Sequence, residues 1–318
     1  MSQPPASYYN TTTWDPRDVL SGGARMIPVS TPGGEFRVWT KRVGSNPRLK
    51  VLLLHGGPGS TGEGFECFDT WLPRAGIEYY YYDQLGSLRS DQPEDPALWD
   101  LGRFVDEVEQ VRRALGLGPD NFVLMGQSWG GLLAMEYAVH HQRQLKALVI
   151  SNMMSSCPLY NAYARDVLMP SMDQAVLAEI KQMEAAGKTT DPRYEQLLIE
   201  HHYVHHVCRI PFADWPDPVI RAVQHINPAI YVPMQGPSEL GLSGSLEDWD
   251  RSADLTDIDV PALVIGATHD TMDPGHMRWM AGQLPQGRYL QCPDGSHLSQ
   301  FDDPAHYFPG LIDFLQSL

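Results

Sequence analysis

The strongest sign of chemistry in this sequence is a serine placed between glycines. Ser128 stands in the motif GQSWG at residues 126–130, after the apolar stretch 121–125 and before a helix-like stretch at 132–141. A tight turn from a strand into a helix brings a serine hydroxyl to the edge of a sheet and leaves room only for glycine around it. A serine in a glycine-rich turn can instead cap the next helix. The strand before Ser128 and the helix after it favour a nucleophile.

A serine nucleophile needs a histidine as general base and a carboxylate that orients the histidine. Where the serine sits on a strand-turn-helix, the carboxylate and then the histidine follow it in the chain. Asp270 and His297 have this order, and each follows an apolar, strand-like stretch. We therefore predict that Ser128, Asp270 and His297 form a catalytic triad. Competing candidates are the acids Asp273 and Asp294 and the bases His269 and His306.

The motif HGGPG at residues 55–59 supplies a second element of such a site. It follows the apolar stretch 51–54, and loops at this point of the chain provide a backbone N–H for the developing oxyanion. We predict that the N–H groups of Gly57 and Trp129 form the oxyanion hole and that Gly56 contacts the substrate. The alternative is an ordinary glycine-rich loop after a strand, which the presence of the GQSWG motif disfavours.

Two strand patterns surround these motifs. Residues 25–42 alternate apolar and polar side chains around a Pro-Gly-Gly turn, which is typical of an antiparallel hairpin. From residue 50 onwards, short apolar stretches alternate with helical ones, as in a parallel sheet covered by helices on both faces. The sequence thus predicts an α/β-hydrolase fold with a mostly parallel, doubly wound sheet. Its core comprises residues 1–152 and 256–318, and residues 153–255, where helical pieces are separated by prolines, form an inserted helical cap.

The charge of the chain narrows the choice of partners. The 318 residues include 23 Lys and Arg against 39 Asp and Glu, a formal net charge of −16. That charge opposes nucleic-acid phosphates and anionic membrane surfaces. No stretch offers the roughly 20 apolar residues of a membrane span, and no signal peptide is evident. We expect a cytoplasmic protein without nucleic-acid or membrane partners, and no pattern in the sequence indicates an oligomeric state.

A histidine-rich stretch at residues 200–206 raises the question of a metal site. Its histidines at positions 201 and 205, and at 202 and 206, share helix faces. The stretch lacks the HExxH order of zinc peptidases, however, and no third ligand is evident. We interpret it as a cap helix with packing and polar histidines rather than a metal site.

Taken together, the motifs resemble those of a known family. They are, in chain order, LLLHGGPG at 52–59, YDQLGSLRSD at 82–91, GQSWGG at 126–131, DTMDP at 270–274 and GSHL at 295–298. In this combination the chain resembles the proline iminopeptidase (prolyl aminopeptidase) family of α/β-hydrolases. The resemblance implies a serine peptidase or amidase that removes an N-terminal residue, often proline, from short peptides. It also implies a helical cap and neither a metal nor an organic cofactor.

The same resemblance bears on recognition of the substrate's free amine. Residues 232–239 are similar to the branch that includes the tricorn-interacting aminopeptidases, in which acidic cap residues hold the amine, and Glu239 occupies the matching place. A protonated amine in an apolar pocket needs a carboxylate partner. That branch has another glutamate just before Asp-Trp-Pro, where this chain has Ala213. The candidate replacements are Glu200, Asp214 and Glu247.

Because position 213 is alanine, the sequence does not restrict the substrate to peptides. An amino-acid amide or ester could take the place of the peptide, and a carboxylesterase or lactonase with the same triad is the nearest rival. A non-catalytic receptor of this fold would have lost a triad member, whereas this chain has all three. Aromatic residues are the predicted walls of the pocket, namely Phe65, Trp129, Tyr203 and Trp215.

Overall fold

An eight-stranded sheet forms the centre of the molecule. The computed structural model describes residues 23–318, so the predicted core residues 1–22 lie outside it. The strands are β1 (Ala24–Thr31), β2 (Gly34–Val43), β3 (Lys50–Leu54), β4 (Glu78–Asp83), β5 (Phe122–Gln127), β6 (Ala147–Ser151), β7 (Ala262–Ala267) and β8 (Gly287–Cys292). Their order is β1-β2-β4-β3-β5-β6-β7-β8. β2 pairs antiparallel with β1 and with β4, and the other neighbours pair parallel.

Helices connect the strands and cover the sheet. Those of the core are α1 (Leu101–Ala114) and α2 (Trp129–His141), followed after the insertion by α10 (Pro274–Gln283), α11 (Ser299–Asp302) and α12 (Pro304–Gln316). The insertion holds α3 (Cys157–Tyr163), α4 (Met169–Ser171), α5 (Gln174–Ala185), α6 (Pro192–Leu198), α7 (Val204–His206), α8 (Asp217–Gln224) and α9 (Pro228–Met234). Two π-helical turns, Ala164–Leu168 and Ile199–Tyr203, also lie in the insertion, and a 3-10 segment, Gly62–Thr70, follows β3.

Successive residues of the central strands pack on opposite faces of the sheet. In β3, Leu52 and Leu54 belong to a core with residues of α1, α2 and α10, whereas Val51 and Leu53 belong to a core with residues of α12. Strands buried on both faces need apolar side chains at every position, which is why they appear in the sequence as continuous apolar stretches. The predicted α/β-hydrolase architecture and the antiparallel hairpin at its start are confirmed.

The chain between β6 and β7 leaves the sheet and folds mainly as helices over the carboxyl ends of the parallel strands. It has a small core of its own around Ile180, Tyr194 and Leu197. An isolated antiparallel bridge between Ser156 and Asp250 joins its two ends. The placing of a separate cap at residues 153–255 stays a prediction.

The carboxyl ends of the parallel strands meet at this covered edge. Open α/β sheets bind ligands outside these ends, and the loops after β3, β5, β7 and β8 carry the residues that the sequence marks for chemistry. In the described part of the chain, no helix is long and apolar enough to cross a membrane.

Candidate active site

Ser128 occupies a sharp turn between β5 and α2. Its backbone angles are φ 57° and ψ −128°, a conformation that residues other than glycine rarely adopt and that costs about 1–3 kcal/mol. The flanking glycines are required by space: a Cβ on Gly126 would lie 1.8 Å from the carbonyl oxygen of Gly130, and one on Gly130 would lie 2.0 Å from that of Leu54. The Ser128 N–H donates to the carbonyl of Ser151 in β6 at 3.0 Å. The sheet thus fixes the serine at its edge.

Asp270 and His297 meet beside this turn. Nδ1 of His297 lies 2.8 Å from Oδ1 of Asp270, and both side chains are buried. Asp270 also accepts hydrogen bonds from Nδ2 of Asn152 at 2.7 Å and from the N–H of Met272 at 3.1 Å. An Nδ1–H that donates to Asp270 leaves Nε2 of His297 free to accept a proton.

The environment of His297 raises its affinity for a proton. Burial lowers the pKa of the imidazole, but the negative charge of Asp270 and the hydrogen bond to it outweigh burial, so the pKa of His297 lies above its ordinary value. Stabilising the imidazolium in this way is the property that a general base needs when it takes a proton from serine.

The competing acids and bases do not form a pair of this kind beside Ser128. Asp273 caps α10 by accepting from the N–H of Gly275, and His306 is half-exposed and pairs with Asp303. Asp294 is exposed, and His269 is partly buried. Of the acid and base candidates, only Asp270 and His297 are paired with each other beside Ser128.

The loop that carries Gly56 and Gly57 lies against the nucleophile. A Cβ on Gly56 would lie 3.3 Å from Cβ of Ser128, and Gly57 has φ +108°, which favours glycine. Trp129 is the first residue of α2, so its N–H has no partner within the helix. The two predicted oxyanion donors thus belong to the loop beside Ser128 and to the first turn of α2, and their role stays a prediction.

A buried hydrogen-bond network joins these two elements, and sequence reasoning missed it. His55 Nδ1 donates to the carbonyl of Gly56 at 2.9 Å, and its Nε2 accepts from the N–H of Gln84 at 3.1 Å. The side-chain oxygen of Gln84 in turn accepts from Nε1 of Trp129 at 2.9 Å. Burial lowers the pKa of His55, so the ring is neutral and can both donate and accept. Motif matching could not reveal this, because Gln84 lies far from Trp129 in the chain.

A cavity of about 490 Å³ opens beside Ser128 and His297. Gly56, Gly57, Trp215 and Glu239 line it, as do Phe65 and Tyr203 of the predicted aromatic walls. A second cavity, of about 10 Å³, has room for about one water molecule and lies between Ser128, Trp129 and Glu239. Ser128 and Glu239 line both cavities, so the nucleophile and the predicted amine ligand face the same space.

The structure places Glu200 outside both cavities. Its side chain is exposed, accepts from Nε2 of Gln196 at 2.9 Å and lines neither cavity. It is the second residue of the π-helical turn Ile199–Tyr203, whose wider winding turns the following residues relative to an α-helix. Asp214 and Glu247 line neither cavity, and Ala213 is exposed. Glu195, which sequence reasoning missed, does line the large cavity.

Glu239 is held by the side chains of the insertion. The Tyr231 hydroxyl donates to its carboxylate at 2.5 Å. Its backbone carbonyl accepts from the Tyr160 hydroxyl at 2.8 Å and from Nε2 of His202 at 3.2 Å. Burial, with Glu239 nearby, holds the pKa of the Tyr231 hydroxyl well above its ordinary value, so that it stays a donor. The carboxylate is thus positioned toward the cavity.

The histidine-rich stretch links Glu239 to the triad. His202 is fully buried, and burial is the main cause of a pKa near 3, so the ring is neutral. Four residues later, the carbonyl of His206 accepts from the N–H of His297 at 3.0 Å, and its Nδ1 donates to the carbonyl of His269. These side chains are used in hydrogen bonds to carbonyl groups, which fits the packing interpretation of the sequence.

Known proteins are similar to this chain over most of its length. The family model for the alpha/beta hydrolase fold matches residues 50–304. The proline iminopeptidase of Flavobacterium johnsoniae is 51% identical over 293 residues, which are 92% of this chain and 98% of that protein. The proline iminopeptidase of Elizabethkingia meningoseptica is 50% identical over 295 residues, with the same coverage.

Two solved structures are similar over the same range. The crystal structure of VinJ superposes with a TM-score of 0.85 at 30% identity and covers 92% of this chain and 98% of VinJ. The proline iminopeptidase of Mycobacterium smegmatis superposes with a TM-score of 0.79, also at 30% identity and with the same coverage.

Proposed function

The chain belongs to the alpha/beta hydrolase family and, within it, to the proline iminopeptidases, and we propose that it is a serine aminopeptidase that acts through an acyl-enzyme on Ser128. Its substrates are short peptides or amino-acid amides with a free N-terminal proline or another small apolar residue. The observation that carries this proposal is that Ser128 and Glu239 line the same two cavities, beside the His297–Asp270 pair.

The first half of the reaction forms the acyl-enzyme. Oγ of Ser128 attacks the carbonyl carbon of the N-terminal residue while Nε2 of His297 takes the hydroxyl proton, and Asp270 stabilises the imidazolium. The N–H groups of Gly57 and Trp129 receive the negative charge on the oxygen. The C–N bond then breaks, and His297 returns the proton to the departing amine.

The second half releases the amino acid. Water attacks the ester carbon while His297 takes one of its protons, the C–O bond to Ser128 breaks, and the proton passes to the serine oxygen. Glu239 binds the protonated amine throughout, because an ammonium group in a largely apolar cavity needs a charged partner. The N-terminal residue lies in the large cavity, which Glu239 also lines, because the small cavity has room for only about one water molecule.

The test is turnover of a small substrate panel by the wild type and by Ser128→Ala. Prolyl, alanyl and phenylalanyl anilides, N-acetyl-prolyl anilide and a short-chain ester make up the panel. We expect turnover of the free-amine anilides, prolyl and alanyl above phenylalanyl, and none with Ser128→Ala. Equal turnover of prolyl anilide and its N-acetyl form would contradict a role for the free amine. Cleavage of the ester alone would mean that the chain is an esterase.

The cap at residues 153–255 and the cytoplasmic location belong to the same proposal. The cap supplies Glu239 and most of the cavity wall, as expected of an element that selects the substrate.

A further inference from the structure

The large cavity is acidic and has neither lysine nor arginine among its described lining residues. Among the described residues that line it, none is lysine or arginine, while Asp191, Glu195 and Glu239 bring carboxylates. Most of the remaining wall is apolar, including Phe65, Leu198 and Ile220. A negatively charged group on a substrate would therefore find no lysine or arginine partner on these walls.

Arg221 is next in the chain to residues of the cavity wall, and its charge is already engaged. Arg221 lies between the lining residues Ile220 and Ala222 on α8. Its guanidinium pairs with Glu63, with Glu66 at 2.6 Å and with Asp217 at 2.7 Å. These carboxylates raise the pKa of Arg221 further above its ordinary range. Its charge is thus balanced by the protein itself and is not offered to a ligand.

The walls of the large cavity face the amine that leaves when the scissile bond breaks. The small cavity has room for only about one water molecule, so the substrate, including the group that leaves on nitrogen, lies in the large cavity that Ser128 and Glu239 line. In a dipeptide, the α-carboxylate is only two carbon atoms from the leaving nitrogen and must enter the cavity with it. In an amide, an arylamide or a longer peptide, a neutral group occupies that place.

We propose that the leaving-group side of this site selects for amines without a carboxylate next to the scissile bond, so that aminoacyl amides and longer peptides are cleaved in preference to free dipeptides. This inference rests on the proposed function and specifies its substrate class. A carboxylate that loses water without gaining a partner opposes binding strongly, and neighbouring carboxylates add repulsion. A hydrophobic amide such as phenylalaninamide meets neither penalty and can bury its ring against the apolar wall.

The experiment compares H-Pro-Phe-NH2 with H-Pro-Phe-OH, which differ only in the terminal group. We expect kcat/KM to be at least about tenfold higher for the amide, mainly through a lower KM, since one unpaired charge is worth more than about 1.4 kcal/mol. Prolyl anilide serves as the reference for the proposed function. Equal kcat/KM for the amide and the acid, with anilide turnover intact, would overturn this inference alone. Absence of turnover of all three substrates would overturn the proposed function and this inference with it.

A lysine placed on the wall tests whether charge is the cause. Val223 lines the cavity on α8 and is 42% exposed, so a polar residue there does not disturb the core. We expect Val223→Lys to reduce the preference for the amide by raising kcat/KM for the acid several-fold. The neutral control Val223→Gln should leave the preference as it is in the wild type. An unchanged preference in Val223→Lys, or an equal change in Val223→Gln, would contradict an electrostatic origin.

Discussion

The two sides of the active site are held in place by different means. On the sheet side, Ser128 is fixed by backbone geometry, because Cβ atoms on Gly126 or Gly130 would collide with main-chain carbonyls. On the side of the insertion, Glu239 is fixed by side chains, among them Tyr231 and His202. Backbone constraints leave almost no freedom to substitute, whereas a side-chain network can be altered one residue at a time. The chemistry should therefore tolerate little change, and substrate choice should be adjustable.

The largest effect should come from the sheet side. Asp270→Asn removes the negative charge that raises the pKa of His297 and favours the wrong tautomer, so kcat should fall about 1,000- to 10,000-fold for every substrate. The matched control is Asp273→Asn, which changes the cap of α10 three residues away and should keep kcat near the wild-type value. Similar losses in both variants would show that the loop as a whole, rather than the His297–Asp270 pair, is sensitive.

A smaller and selective effect should come from the insertion side. Glu239→Gln keeps an acceptor for Tyr231 but removes the charge that pairs with the amine, a loss of about 1.5–3 kcal/mol, or roughly 10- to 150-fold in kcat/KM. Turnover of a simple ester without an amine should change little. Glu200→Gln, on the exposed face of the same insertion, should be silent with both substrates. Loss of ester turnover in Glu239→Gln would contradict the claim that Glu239 affects substrate choice and not the chemistry.

The pH dependence should report on both sides at once. The base must be neutral to accept the serine proton, and its pKa is raised, so kcat/KM should fall as pH decreases, with a midpoint above the ordinary histidine value of about 6.5. On the alkaline side, kcat/KM for prolyl anilide should fall as the substrate amine, of pKa about 8, loses its proton. A pH profile of an ester should keep the acid limb and lack the alkaline one. An acid midpoint at or below 6.5 would contradict the effect of Asp270.

The smallest effect should appear where the insertion meets the core. Arg221→Gln removes ion pairs with Glu63 and Glu66, but buried Glu63 keeps His225, Arg89 and Thr61 as partners, so the loss should be about 1–2 kcal/mol in urea unfolding. The kcat for prolyl anilide should stay within about twofold. Arg165→Gln, whose ion pair with Asp166 is exposed, should leave stability unchanged. A large fall in kcat would mean that this contact shapes the active site.

The sequence predicts residues on the sheet side of the active site better than the side-chain networks around them. Ser128, Asp270 and His297 each follow a strand within a few residues, and local patterns identify strands and the turns after them. Gln84 hydrogen-bonds with Trp129 and Tyr231 with Glu239, in each case outside its own local segment, so no local pattern identifies them. Glu200 was named as one of three acidic residues that could replace the glutamate missing at Ala213, and the sequence does not reveal the π-helical turn that sets the direction of its side chain.

The joined ends of the insertion have one more consequence. Ser156 and Asp250 are bridged, the N–H of Cys157 donates to the carbonyl of Trp249 at 2.9 Å, and that of Arg251 donates to the carbonyl of Ser155 at 2.8 Å. The chain therefore departs from and returns to the sheet at nearly one point, so a longer or shorter segment can begin and end there with little added loop-closure entropy. Chimeras that exchange residues 157–249 between relatives should keep the sheet and its triad while taking their substrate preference from the donor.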